Sequence, residues 1–227
     1  IFSNADVTQA ISNYLADYAR IMGYKGKVEV IPNGIDLKKF QPTTNNTQST
    51  TETILITVSR LVGKNGVRDI VSALEFLPTN VRLEIVGTGP LESKLKQDVK
   101  SKGPEDRVKG LGSVPNEEIP RLLQKADIFV RPSLSEGLGI SFLEAMAAGL
   151  PVIATPVGGI PDFLKDGETG LFCEVKNPEN IAKQVIKLME SPELRQKLIE
   201  NGQKLVKEKY NWDLIVEEMK GRVFDKV

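Results

Sequence analysis

Short apolar runs alternate along the chain with longer segments in which apolar residues recur every three or four positions. The apolar runs predict strands at residues 54–58, 81–86, 108–111, 128–130, 152–154 and 171–175. The longer segments predict helices at residues 66–76, 91–102, 117–124, 140–148 and 160–164, and another from residue 178. Strands that alternate with helices in this way are typical of a parallel sheet with helices on both faces. The pattern therefore predicts an α/β fold of this kind.

The first forty residues stand outside this alternation. Apolar residues at helical spacing in residues 1–27 predict a helix that ends at Gly23. Its candidate caps are Ser3, Asn4 and Asp6. A further strand is predicted at residues 28–31, closed by a turn at residues 32–34.

Composition predicts a linker, and helical spacing predicts a helical tail. Residues 41–53 contain no apolar side chain, which predicts a solvated linker. Residues 192–224 have helical spacing throughout, with a predicted break at residues 210–211.

The stretch at residues 131–149 carries the most distinctive chemistry. It follows a predicted strand, and two glycines lead into a helix N-terminus, whose exposed N–H groups favour a phosphate. Glu136 lies in its loop and Glu144 about one turn into its helix. A carboxylate accepts two hydroxyl hydrogen bonds, which suits a ribose or a sugar. The alternative interpretation is that Glu144 is a helix-surface residue and Glu136 interacts with the helix dipole.

Two other turns follow strands and converge on the same edge of the predicted sheet. Gly87 and Gly89 suggest a dinucleotide fingerprint, but Glu92 occupies the place of its third glycine, so we favour a packed turn that lines the cleft. Arg60 and Lys64 lie on the loop after the first strand of the alternation. They could clamp a diphosphate, or they could be solvated loop charges.

Composition excludes several classes of function. The chain has no histidine, so an imidazole base or histidine metal site is excluded. Its 30 basic and 30 acidic side chains cancel, so the chain has no net charge that would attract nucleic acid. Its single cysteine fits a reducing compartment. No apolar run is long enough to span a bilayer, and because the first residue is isoleucine we interpret the chain as a fragment.

Taken together, these motifs resemble the retaining glycosyltransferases of the group 1 family, which have the two-domain GT-B fold. The residues that carry the resemblance are 31–36 with Phe40, 59–62, 86–90, 112–115, 126–130, 132–133, 135–144, 149–152, 158–161 and 167–172. The resemblance implies a Rossmann-like parallel sheet, the C-terminal half of such an enzyme. It also implies transfer of a sugar from a nucleotide diphosphate with retention at the anomeric carbon.

The resemblance also assigns residues to roles. Catalytic roles fall on Glu136, Arg60 and Lys64, and donor binding on Glu144, Gly137, Leu138, Gly139, Gly87, Gly89 and Val114. Glu144 would bind the ribose hydroxyls and Glu136 would face the donor sugar. The cations and backbone amides would stabilise the departing nucleotide without a metal, and no cofactor is expected beyond the donor substrate. The family pattern places a lysine immediately before Gly66, where this chain has Asn65, so Lys64 is the substitute candidate.

By the same resemblance, residues 1–27 correspond to the final helix of an acceptor domain. Residues 28–209 correspond to the donor domain and residues 210–227 to a helix that crosses back. The expected partners are the donor, the missing N-terminal domain and an unknown sugar, lipid or protein acceptor, with no nucleic acid. We expect a cytoplasmic location, with peripheral attachment of the full-length protein at the inner face of the membrane as a further option, and no transfer by the fragment alone.

Two alternatives stay open from the sequence. One is a non-catalytic module that binds a nucleotide sugar. The other is a different GT-B enzyme, such as a sugar phosphorylase or a nucleotide-sugar epimerase. Phosphorylases of this fold hold pyridoxal phosphate through a lysine, and the sequence shows no matching site.

Overall fold

The computed structural model describes residue 5 and residues 7–40, 52–102 and 105–226. Its strands are β1 (Thr8–Ala10), β2 (Val28–Val30), β3 (Thr53–Val58), β4 (Val81–Val86), β5 (Val108–Gly112), β6 (Ile128–Arg131), β7 (Val152–Ala154) and β8 (Leu171–Phe172). Its α-helices are α1 (Asn13–Ile21), α2 (Val67–Ala73), α3 (Glu92–Lys102), α4 (Ile119–Lys125), α5 (Ile140–Ala147), α6 (Pro178–Glu190), α7 (Pro192–Lys209) and α8 (Trp212–Arg222). Short 3₁₀ turns include Leu37–Phe40, Gly63–Asn65, Leu74–Phe76 and Ile160–Asp162.

The central sheet has six parallel strands in the order β5-β4-β3-β6-β7-β8. The chain starts this sheet in the middle at β3, builds outward through β4 and β5, and then returns to the other side of β3 with β6. Sheets with this order bind ligands beyond the carboxyl ends of the strands, where the winding direction reverses. The predicted fold class is confirmed, and its reversal point lies between β3 and β6.

Apolar side chains cover both faces of this sheet. Along β3, Leu55 belongs to a core with α2 and α6, whereas Ile56 belongs to a second core with α5 and α7. Three aromatic rings in contact, those of Phe129, Phe142 and Phe163, stand in the second core. Because strands buried on both faces need apolar residues at consecutive positions, the continuous apolar runs of the sequence are explained.

The N-terminal region differs from the prediction of one continuous helix. A strand, β1, precedes α1 and pairs in parallel with β2 in a separate two-stranded sheet. The helix begins only at Asn13, where the hydroxyl of Ser12 accepts a hydrogen bond from the N–H of Leu15 at 3.2 Å. The predicted caps Ser3, Asn4 and Asp6 lie outside the described residues, as does most of the predicted linker.

The predicted strand at residues 28–31 is present, but it pairs with β1 rather than with the central sheet. The division of the chain at residues 27 and 209 stays a prediction.

Hydrogen bonds join the last helix and the residues just before it to the first part of the chain. The tail breaks at residues 210–211, as predicted, and the N–H of Ile35 donates to the carbonyl of Tyr210 at 2.6 Å. Farther along α8, Arg222 donates to Glu29 from two nitrogens, at 2.8 and 3.1 Å. Hydrogen bonds from Lys27 and Arg222 lower the pKa of Glu29 to about 2. We call the contact between Arg222 and Glu29 the clasp.

None of the helices in the described ranges is both long enough and apolar enough to cross a membrane.

Candidate functional site

Two loops meet where the winding of the sheet reverses. We call residues 59–66 the β3 loop and residues 132–139 the β6 loop. The N–H of Leu134 donates to the carbonyl of Lys64 at 2.6 Å, which joins them backbone to backbone. Gly66 has a positive φ of 67°, and a Cβ there would overlap the carbonyl oxygen of Pro132. Only glycine permits this approach, so the two loops pack backbone against backbone.

The turn after β4 packs against the β3 loop from the other side. Gly87 has a φ of 123°, and a Cβ there would overlap the carbonyl oxygen of Ser59. The N–H of Leu61 donates to the carbonyl of Thr88 at 2.9 Å. Gly87 and Gly89 therefore form a turn packed against the β3 loop, as favoured from the sequence.

Val114 lies farther along this edge, in the loop that follows β5. It is half-buried and packs against the second core. The N–H of Gly87 donates to the carbonyl of Gly112 at 2.7 Å, so this loop is coupled to the turn after β4. A cavity of about 660 Å³ between α3 and β5 has Gly87 and Gly112 in its lining.

The cations of the β3 loop are exposed, and a neighbouring asparagine is not. The side chains of Arg60 and Lys64 face solvent, and no carboxylate pairs with either within the described part of the chain. Asn65 is only 4% exposed, and its side-chain amide donates to the carbonyl of Arg60 at 2.6 Å. The buried side chain of Asn65 therefore stabilises the loop, and the side chain of Lys64 places a positive charge on its surface. The catalytic role of Lys64 stays a prediction.

This arrangement predicts that restoring the family's lysine by Asn65→Lys destabilises the protein. The substitution loses the hydrogen bond to Arg60 and forces an ammonium toward a buried position, at a cost of about 2 kcal/mol in free energy of unfolding. Lys64→Asn is the matched control, since it changes an exposed side chain and should cost within about 0.5 kcal/mol. Urea denaturation of both variants measures the difference. Equal stability of the two would show that Asn65 has no structural role.

Glu136 has its carboxylate held on both oxygens. Oε2 accepts a hydrogen bond from Nη2 of Arg131, and Oε1 accepts one from the N–H of Gly137 at 2.9 Å. The side chain is 12% exposed. Its predicted contact with a donor sugar stays a prediction, but the carboxylate already has a fixed orientation.

Arg131 is the site residue that the sequence interpretation missed. It is 8% exposed at the end of β6, and its Nη1 donates to the hydroxyl of Ser141 at 2.8 Å. Its guanidinium carbon lies 4.9 Å from the ring centroid of Phe142. Burial lowers the pKa of Arg131 to about 10, so it remains a cation at neutral pH. The available signal was an arginine that directly continues a buried apolar strand.

The β6 loop ends at the N-terminus of α5. Leu138 is buried in the second core, and Gly139 precedes the first helical residue with a positive φ of 85°. Within the described part of the chain, the N–H groups of Leu138 and Gly139 donate to no protein acceptor. Two unpaired donors at the start of a helix are suited to an anion.

Glu144 lies one turn into α5 and is half-buried. Burial raises the pKa of its carboxyl, and the charge of Lys39 partly opposes this rise. Lys39 belongs to the 3₁₀ turn Leu37–Phe40, which the sequence interpretation did not connect with the site. Among the described residues, no group of three or more carboxylate or cysteine side chains could hold a metal ion.

Comparisons with known proteins identify relatives of this chain. The profile of the family described as "Glycosyl transferases group 1" matches residues 41–205. An N-acetyl-alpha-D-glucosaminyl L-malate synthase of Bacillus anthracis is 36% identical over 179 residues, covering 78% of this chain and 46% of the relative. A GDP-mannose-dependent monoacylated alpha-(1-6)-phosphatidylinositol monomannoside mannosyltransferase of Corynebacterium glutamicum is 30% identical over 242 residues, covering 96% of this chain and 62% of the relative.

The solved structure of a sucrose-phosphate synthase from Thermosynechococcus elongatus superposes with a TM-score of 0.91 at 28% identity. That match covers 99% of this chain and 59% of the synthase chain. The present chain thus spans 46% and 62% of the lengths of the two curated relatives.

Proposed function

Because the chain belongs to the group 1 glycosyltransferases, we propose that the protein containing it transfers a sugar from a nucleotide-diphosphate sugar to an acceptor. The transfer proceeds with retention of anomeric configuration, and this chain forms the donor-binding half. The observation that carries the proposal is the backbone hydrogen bond that joins the β3 and β6 loops, since two exposed cations lie on one loop and two unpaired amides on the other. A departing nucleotide gathers negative charge, and fixed cations and amides stabilise such charge.

The roles follow from the chemistry of each group. Arg60 and Lys64 neutralise the diphosphate, and the amides of Leu138 and Gly139 bind phosphate and sugar oxygens. The turns at Gly87, Gly89 and Val114 contact the nucleoside. Glu144 accepts the ribose hydroxyls, and Glu136, beside Gly137, accepts hydroxyls of the donor sugar. No bound cofactor is required by this assignment.

The acceptor and its binding groups belong to the rest of the protein. The two curated relatives are longer than this chain, and they are named as an N-acetyl-alpha-D-glucosaminyl L-malate synthase and a GDP-mannose-dependent mannosyltransferase. We therefore assign acceptor recognition to the part of the protein outside this chain and expect the chain alone to bind donor without transferring it. The chain's single cysteine suits a reducing compartment, which supports the proposed cytoplasmic location.

A panel of nucleotide sugars tests the proposal on the full-length protein. Uridine, guanosine and adenosine diphosphate sugars are titrated by calorimetry and then assayed for transfer, with product configuration read by nuclear magnetic resonance. Binding of one class followed by transfer with retention is expected. Absence of binding to every donor would contradict the proposal. Binding without transfer or hydrolysis would instead indicate a non-catalytic module.

Glu144→Gln is expected to stabilise the donor-free protein near neutral pH. Because burial raises its pKa, the Glu144 carboxyl binds more protons when folded than when unfolded. Its ionisation therefore lowers stability as pH rises from the unfolded value through the raised folded value. Glutamine has no such dependence, so the gain in melting temperature over the parent protein should grow as the pH rises above about 4. A gain that does not change with pH would contradict this account.

The same substitution is expected to weaken donor binding roughly 10-fold, since an amide loses the charge-assisted hydrogen bonds to ribose. Glu208→Gln, on the exposed face of α7, is the matched control and should change neither quantity. Calorimetry with the best donor of the panel measures the difference.

A further inference from the structure

A charged side chain at the end of β6 needs a physical reason. The three residues before Arg131 in this strand are apolar and at most 1% exposed. Burying a guanidinium costs several kcal/mol unless it is paired and hydrogen-bonded. Fold stability alone would be served as well by an apolar residue of similar size. The partners of Arg131 therefore indicate what it contributes.

The partners of Arg131 lie in two parts of the candidate donor site, the β6 loop and helix α5. Nη2 binds the carboxylate of Glu136 in the β6 loop. Nη1 binds the hydroxyl of Ser141 in the first turn of α5, the helix that carries Glu144. The Phe142 ring lies beneath the guanidinium. One rigid, planar group thus fixes the loop carboxylate relative to the helix, a geometry that the point charge of a lysine cannot reproduce.

The contacts of Glu136 fix the orientation of its carboxylate and leave it able to accept further hydrogen bonds. One oxygen is bound by Arg131 and the other by the N–H of Gly137. A carboxylate oxygen can accept two hydrogen bonds, so each retains capacity for a hydroxyl. A carboxylate held in this way loses little side-chain entropy when a ligand arrives.

We propose that Arg131 is a positioning residue of the donor site, which holds the Glu136 carboxylate at the orientation in which it accepts hydroxyls of the donor sugar. This inference rests on the proposed function and deepens it. Arg131 acts on the sugar through Glu136, and it makes no contact with the nucleotide part. Loss of Arg131 therefore weakens the binding of nucleotide sugars and leaves the binding of sugar-free nucleoside diphosphates unchanged.

The test uses the full-length protein and five probes: UDP-glucose, UDP-N-acetylglucosamine, GDP-mannose, UDP and GDP. With Arg131→Met, we expect the binding of the preferred nucleotide sugar to weaken roughly 10-fold. The binding of the corresponding sugar-free nucleotide should weaken less than about 2-fold. Arg131→Lys keeps the charge and is expected to recover part of the loss. In a Glu136→Gln background, Arg131→Met should add no further loss, because the residue acts through that carboxylate.

Arg195→Met is the matched control. It removes a guanidinium paired with Asp127 at 3.0 Å, away from the β6 loop, and should change neither class of probe. Equal weakening of sugar and sugar-free probes by Arg131→Met would show a merely structural role and overturn the inference, as would no weakening of either. If the methionine variant does not fold, the lysine variant decides by the same comparison. A parent protein that binds none of the five probes would overturn the proposed function, and this inference with it.

Discussion

Glu136→Ala is expected to lower the free energy of unfolding of the region that this chain forms by about 3 kcal/mol. The loss arises because Arg131 would remain buried and charged without its carboxylate partner. Removing one member of a buried ion pair costs far more than the pair contributes in total. Hydrogen exchange during urea denaturation, read in peptides of β6 and α5, measures the loss separately from the rest of the protein.

Two further variants make this expectation sharp. Glu136→Ala combined with Arg131→Met should recover part of the lost stability, since no charge is then left unpaired. Glu218→Ala breaks an ion pair with Arg222 in which both side chains are more than 40% exposed, and it should cost about 1 kcal/mol or less. If Glu136→Ala lowered the free energy of unfolding no more than Glu218→Ala does, Glu136 would not be needed to stabilise the buried charge of Arg131.

If the proposed transfer is correct, Arg60→Ala is expected to lower the turnover number of the full-length protein roughly 100-fold to 1,000-fold. Charge accumulates on the diphosphate only as the bond to the sugar breaks, so a cation placed there stabilises the transition state more than the bound donor. The backbone of Arg60 is held by hydrogen bonds from Val62 and Asn65 to its carbonyl, at 2.9 and 2.6 Å, whereas its side chain is exposed. The substitution should therefore leave the fold unchanged.

Steady-state kinetics with the donor from the panel separates turnover from donor affinity. Arg121→Ala removes an exposed arginine from α4 and serves as the control for loss of one positive charge. A change of less than about 2-fold in turnover for Arg60→Ala would remove Arg60 from the proposed mechanism.

The central sheet is largely predictable from the sequence, and the physical reason is burial on both faces. Consecutive apolar residues mark such strands, and β4 and β7 have the predicted bounds. The profile match confirms the family resemblance drawn from the motifs. The strand β1 was missed because three residues are too few to show a period, and its pairing with β2 is a tertiary contact.

The candidate site is predictable in its loops but not in its side-chain contacts. Glycines that follow strands mark the loops, and the structure brings the β3 and β6 loops together. Which side chain of the β3 loop faces solvent depends on the buried hydrogen bond of Asn65, and sequence spacing carries no information about it. Arg131 and Ser141 are ten positions apart and meet only because the β6 loop turns back on itself.

The clasp has a consequence for how the chain is made. Glu29 and Arg222 are separated by 193 positions, and ribosomes add about 5–20 residues per second. Roughly 10–40 s therefore pass between synthesis of the glutamate and synthesis of the arginine that binds it. Throughout that interval the two-stranded sheet lacks its contact with α8, while the central sheet can already pair. The docking of the small sheet against α8 is a late event in the life of the nascent chain.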